Sequence, residues 1–244
     1  MSNPSSNHAL SEDTVPAQVA RHLLSRINER GLRPGDTVDS EVQICRELQV
    51  SRGSVREAYR LLAALGVLEI GSGRRPRLLA VNSNALGRIF GHALQTAHAT
   101  PIHVLELRRG IEMQTAQLAA RFASEEQLDR LRELVREMRG ALHDDTLRIA
   151  SDLSIHETLA EASGNPLNSL VLTALHDAIT ASLRDDHVKV QRTEAELVRV
   201  IEAHEAIIER VCARDPVGAA AAMSCHFDLS VNSLSRSQHR RDLT

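Results

Sequence analysis

The stretch VSRGSVREAYRLLAALGVLEI, residues 50–70, holds a short turn, a helix predicted from Ser51 or Arg52 to Leu65, a stop at Gly66 and a strand-like tail. Just upstream a second helix is predicted to open at Asp39 or Ser40, where Glu41 and Glu47 flank Val42, Ile44 and Leu48. Two short helices across a tight turn, the later one bearing Arg52 and Arg56 near its start, have the layout of a helix-turn-helix. Downstream, GSGRRPRLLAV (71–81) reads as a glycine-rich hairpin with three arginines, Arg74, Arg75 and Arg77, which fits a wing. Upstream, residues 15–31 place Val15, Val19, Leu23 and Ile27 at helical spacing, end at Gly31 and run into an RPGD turn.

The arginines give this head its chemistry. At the N-terminal end of a recognition helix a guanidinium presents a planar fork to guanine edges or phosphates, and the helix N-terminus itself favours phosphate oxygens. Ser51 and Ser54 add neutral phosphate contacts. The competing reading, in which Arg52, Arg56 and Arg60 form a merely solvated face, loses weight once the wing arginines are counted. Residues 15–80 hold 11 arginines against 7 acids, whereas the rest of the chain holds 18 basic against 25 acidic residues. A basic head therefore precedes an acidic body, as a polyanion-binding module would.

Composition sets the wider frame. With 244 residues and 42% hydrophobic content the chain can bury one large or two ordinary cores. Its 2% aromatic content, dominated by neither Trp nor Tyr, favours helices over aromatic-rich sheets. Cys45, Cys212 and Cys225 match neither a disulfide framework nor a zinc-ribbon spacing, which fits a reducing cytoplasm. No run approaches the roughly 18 apolar residues of a membrane span, and the N-terminus lacks the pattern of a signal peptide. The expected division is a disordered leader (1–14), a winged helix-turn-helix (15–80), an all-α antiparallel bundle (81–236) and a flexible tail (237–244). The fold class is mainly α.

Six or seven helices are expected in the body. Leu128, Leu131, Val135, Met138 and Leu142 share one face of a helix that Ser124 can cap; Gly164-Asn165-Pro166 stops another, and Asp215-Pro216 starts the last. Polar residues interrupt these apolar stripes. Asp152 and His156 sit among Ile149, Ile155 and Leu159; His204 lies amid Leu197, Val200, Ile201, Ile207, Ile208 and Val211; His226 is set among Ala219, Ala222, Met223 and Leu229. One buried histidine usually has an ordinary hydrogen-bond partner. Four such groups together are better explained by one divalent cation, which relieves every desolvation penalty at once: zinc first, nickel or manganese as alternatives. His143, His176 and His187 lack this placement.

Arg108 sits in a further stripe of Val104, Leu105, Ile111, Leu118 and Phe122. It either pairs with Glu112 four residues on, or faces a cavity kept positive by the metal and ready for a small carboxylate.

These residues carry a resemblance. Residues 32–78, through the PGD turn, Ser40-Glu41, and Val50-Ser51-Arg52 leading to Val55-Arg56-Glu57-Ala58, resemble the winged helix-turn-helix of the GntR superfamily of bacterial transcription regulators. Val42 stands where that family usually has arginine, and Arg75-Pro76 where its wing usually has a Gly-Thr-like pair. The body resembles the FCD ligand-binding domain of the superfamily's FadR branch, through ELRRGIE, DLSIHETLAEASGNP, EAHEAIIERV and AAAAMSCHF. The resemblance implies Asp152, His156, His204 and His226 as metal ligands, Arg108 as the effector-contacting arginine and Asn165 as a cavity-lining residue. It favours the metal-containing type over the metal-free, acyl-CoA-binding type. It also implies a homodimer on double-stranded DNA with a palindromic operator, whose affinity for that operator, as a repressor, is set by a small organic acid. Two other readings stand beside this one: a metal-dependent enzyme acting on a small carboxylate, for which no separate inward general base is found, and a direct metal sensor.

Overall fold

The computed structural model describes residues 14–71, 73–185 and 192–242. The expected leader, apart from Thr14, and His187 lie outside them. Two compact units divide at Ala85 and Leu86, five residues beyond the expected boundary.

The first unit contains α1 (Val15–Glu29), α2 (Glu41–Leu48), α3 (Arg52–Ala64), β1 (Leu68–Glu69) and β2 (Arg77–Leu78). Thr14, assigned by sequence to the leader, instead caps α1 by accepting the Ala17 amide. Ser40 and Gln43 close α2 in a reciprocal capping box. Gln49 in the left-handed region ends α2, and Ser51 caps α3, so the turn of the helix-turn-helix is three residues long. Gly66, at φ +73°, sends the chain into β1. β1 and β2 pair antiparallel, Leu68 opposite Leu78 and Glu69 opposite Arg77. Thr37 bridges to Arg77 on the far side, a third edge too short to leave a sequence signal. Val19, Leu23, Ile27, Ile44, Val55, Tyr59, Leu62 and Leu68 make the core. Val15, expected on the α1 stripe, is 44% exposed, because its first-turn position precedes the core. The Tyr59 hydroxyl donates to the Asp39 carbonyl, while the Asp39 carboxylate accepts from Arg26 and Arg30, which fastens α1 and α3 to the start of α2.

The second unit contains α4 (Asn84–Gln95), α5 (Pro101–Phe122), α6 (Glu125–Gly140), α7 (Asp145–Ala162), α8 (Pro166–Asp185), α9 (Glu194–Cys212) and α10 (Pro216–Asp242), seven helices among the described residues. The last helix runs on through 237–242, where sequence placed a tail. α10 packs on α5 and α9, α6 on α7 and α9, and α5 on α7, α8 and α9. Local chemistry sets these ends: Ser124 with Gln127 and Thr193 with Glu196 form capping boxes, and Asp215 accepts the Gly218 amide at the start of α10. Leu128, Leu131, Leu134, Met138, Ile155, Leu159, Ile207 and Phe227 lie in a continuous core. Phe122 and Ile149, both expected in inward stripes, are 64% and 56% exposed; the first ends α5 and the second borders a cavity rather than the core.

The chain has one tyrosine and no tryptophan, so tyrosine emission isolates the unfolding of the first unit. Leu62 is 1% exposed, and Leu62→Ala is expected to destabilise that transition by about 2–5 kcal/mol in a urea titration followed at Tyr59. A loss below about 1 kcal/mol would mean that the packing between α1 and α3 is not as described.

Candidate metal and effector site

Four helices bring the site together. α7 supplies Asp152 and His156 one turn apart, α9 His204, α10 His226, and α5 Arg108 and Glu112. The three imidazoles are buried, at 5%, 0% and 4% exposure, and one ligand atom of each lies within 4.8 Å of the others. Their ring centroids stand 4.3 to 5.4 Å apart.

The hydrogen bonding around these rings leaves them open toward one another. His204 Nδ1 lies 2.8 Å from the Val200 carbonyl; a carbonyl only accepts, so Nδ1 donates and Nε2 keeps its lone pair. That Nε2 is buried, with Asp152 Oδ1 at 3.2 Å but without hydrogen-bond alignment. His226 Nδ1 is buried with no partner. His156 Nδ1 contacts Glu112 Oε2, again without the alignment of a hydrogen bond. Buried nitrogens normally have partners, and converging unpaired imidazole nitrogens beside a carboxylate match the donor set of a divalent ion of zinc type. The residues present therefore fit such an ion.

Electrostatics agree in direction. Burial, then the neighbouring His204 and His156, hold His226 well below the ordinary imidazole range, keeping it neutral. Burial alone would raise Asp152, yet the close approach of His204, with His156 and His226 beside it, outweighs burial and holds the carboxyl well below its ordinary range. Burial would likewise raise Glu112, but Arg108 and His156 bring it down to about 2. Burial lowers His156, and Glu112 more than reverses that.

Asp152 is less enclosed than its place in the stripe implied: 36% of its side chain is exposed, because it borders a cavity of about 220 Å³ lined also by Arg108, His156 and His226. A second cavity of about 220 Å³ shares Arg108, His156 and His176 with the first. Arg108 is paired with Glu112 and also borders both cavities. Its Nε and one terminal nitrogen lie 2.8 Å from Glu112 Oε1, its guanidinium carbon stands 5.6 Å from the centroid of the Phe227 ring, and it lines both cavities. Glu112, 1% exposed, thus joins Arg108 to His156; sequence offered it only as an ion-pair partner, since an i, i+4 spacing cannot reveal a contact across to α7.

Asn165, expected in the cavity lining, belongs to neither cavity. It is exposed in the turn between α7 and α8, where its side-chain oxygen accepts the Leu167 amide; the stop that made the position conspicuous is what occupies its side chain. His143 is exposed, whereas His176 lines both cavities. Sequence also passed over Arg148 and Arg192, which line the first cavity.

In the head, Ser51 caps α3 and its hydroxyl meets that of Ser54 at 2.9 Å. Arg52, Arg56, Arg74 and Arg75 are exposed. Arg56 stands 3.6 Å from Glu41, a solvent-facing pair of little strength. Arg77 is exposed too but donates to the Gly35 carbonyl, so it braces the wing against the PGD turn. Val42 is 45% exposed on α2.

Comparison with known proteins agrees with this architecture. The profile "Bacterial regulatory proteins, gntR family" matches residues 16–77, and that of the FCD domain matches residues 103–229. The chain is 30% identical over 197 residues to the HTH-type transcriptional regulator LutR of Bacillus subtilis, covering 80% of this chain and 90% of LutR. It is 30% identical over 236 residues to the HTH-type transcriptional repressor NanR of Citrobacter rodentium, covering 96% and 88%. Among solved structures, a GntR protein of Streptococcus agalactiae superposes with a TM-score of 0.70 at 27% identity, covering 89% of this chain and 99% of that one. Among the described residues, no helix is long and apolar enough to cross a membrane. The winged head, the helical body and these matches place the chain in the GntR family, as a DNA-binding transcriptional regulator with an FCD domain rather than an enzyme.

Proposed function

We propose that this chain is a cytoplasmic repressor whose grip on a palindromic operator is set by a small organic acid bound beside a divalent metal ion, zinc by preference. The observation that carries the reading is the convergence of three buried imidazoles next to Asp152, with His204 Nε2 and His226 Nδ1 lacking hydrogen-bond partners. Asp152, His156, His204 and His226 would hold the ion, which would supply a positive centre and an open coordination position for a carboxylate. Arg108 offers the acid a guanidinium that Glu112 already orients. Glu112 contacts both Arg108 and His156, so anything that shifts the arginine is felt at a ligand.

The name repressor, borne by NanR, supports the direction of control. Two copies would set two α3 helices in successive major grooves, with Ser51, Ser54, Arg52 and Arg56 at bases and phosphates and Arg74 and Arg75 at the flanking backbone. The acid must favour one arrangement of the dimer over another, since equal affinity for both would leave DNA binding unchanged.

Metal binding is tested by competition with a chromophoric chelator. Asp152→Asn and His226→Ala are each expected to weaken zinc by roughly 10- to 100-fold or more; unchanged affinity in both would remove the ion from the account. The same titration has a pH sign. Ligand imidazoles must be deprotonated, and Glu112, outweighing burial, raises His156 above the ordinary imidazole range, so zinc affinity should begin to fall at a higher pH than an ordinary imidazole would set. For the head, fluorescence anisotropy on the upstream intergenic DNA should show Arg52→Ala and Arg56→Ala each losing about 1–3 kcal/mol, while Arg75→Ala lowers the salt slope by about 1. Wild-type affinity in all three would point to a different DNA-contacting face.

A further inference from the structure

The cavity beside the imidazoles has a second charged end. Arg148, Asp152 and His156 follow one another at four-residue intervals on α7, so they share a face, and Arg148 lies roughly 12 Å along the helix axis from His156. Arg148 is 9% exposed. Asp145 accepts from one of its terminal nitrogens, but its Nε is buried with no partner. Arg192, immediately before the Thr193 cap of α9, lines the same cavity and has no ion pair among the described residues; the nearby Glu196 is taken by Arg236. Burial holds Arg192 below the ordinary guanidinium range, Arg148 adding to the effect against the opposing charge of Asp152.

The balance of charge in the lining is uneven. Among the described residues that line the cavity, Asp152 is the sole carboxylate, against the guanidiniums of Arg108, Arg148 and Arg192. Glu112 answers Arg108 from behind, and Asp152 faces the imidazoles. Among the described residues of the lining no carboxylate answers Arg192, and Arg148, paired with Asp145 at one terminal nitrogen, keeps its buried Nε without a partner, in a setting where an unanswered cationic donor is costly. A ligand with a single acid group, held at the Arg108 end, would not relieve them.

We propose that the cavity takes a short dicarboxylic acid, with one carboxylate at Arg108 and the imidazole end and the other between Arg148 and Arg192. This deepens the organic-acid reading above and rests on it. The second contact is charge-assisted on a buried donor, and that sets the size of the expected preference. Leu105, Ile179 and Val200 line the same cavity, which suits an aliphatic chain linking the two acids.

The test is calorimetric titration of the full-length, zinc-loaded protein with two matched pairs: malate against 2-hydroxybutyrate, and 2-hydroxyglutarate against 2-hydroxyvalerate. Within each pair a carboxylate replaces a terminal methyl and the metal-facing end is the same. The diacid of at least one pair is expected to bind roughly 10- to 100-fold more tightly than its partner. Arg192→Leu and Arg148→Leu should bring that diacid to the affinity of the monoacid without altering the monoacid. Arg192 lies outside the helices, so its variant remains informative if Arg148→Leu fails to fold. Preference in neither pair, or a preference that survives in Arg192→Leu, overturns the dicarboxylate and leaves the organic-acid reading intact. Binding of no acid at all to the wild-type protein overturns both.

Discussion

Three imidazoles buried edge against face, each with a nitrogen within 4.8 Å of the others, carry lone pairs that are costly to leave unanswered. In the helical body His156, His204 and His226 lie at exposures of 5% or less, and among the described residues Glu112 contacts His156 and Asp152 approaches His204. Each unpaired buried polar group costs about 1–3 kcal/mol, and apolar residues of similar volume would have filled the space without that cost. The arrangement is the one expected of the proposed cation site. Four helices of the body, α5, α7, α9 and α10, position these groups.

That positioning comes from ordinary local chemistry. Thr193 and Glu196 fix the start of α9, so His204 arrives with Nδ1 on the Val200 carbonyl and the other nitrogen free. Asp215 and Pro216 fix the start of α10, and with it the height of His226. Arg109 on α5 bonds Ser224 and Asp228 on α10, holding the helix that carries Arg108 against the helix that carries His226. Glu112 joins the two parts of the proposed site, since one of its oxygens orients Arg108 and the other touches His156.

Much of this was legible in the sequence, and the failures have physical reasons. The helix-turn-helix was readable because Ser40, Ser51 and Gly66 are strong local punctuation, and the stripes around His204 and His226 because long apolar helices keep their period. Periodicity gives a direction but not a depth. It therefore set Asp152 deeper than it lies and counted Ile149 and Phe122 as core. Asn165 was drawn toward the cavity by its neighbours Gly164 and Pro166, yet that same turn engages its side chain as a cap. Arg148 and Arg192 leave no signal in the sequence, because an arginine on a helix or in a connection is usually solvated, and only the folded chain shows both at one cavity. Glu112 was seen along its own helix and not across it.

The space among the imidazoles decides whether the helical body is a metal site. X-ray absorption at the zinc edge of protein loaded with one equivalent of the ion reads that space directly. The expected spectrum is a shell of nitrogen and oxygen at about 2.0–2.2 Å with the multiple scattering of three imidazoles, lost from His204→Ala protein. A spectrum of hydrated ion, or one dominated by sulfur, would show that the three histidines are packed for another reason and that the metal-centred reading of the body is wrong.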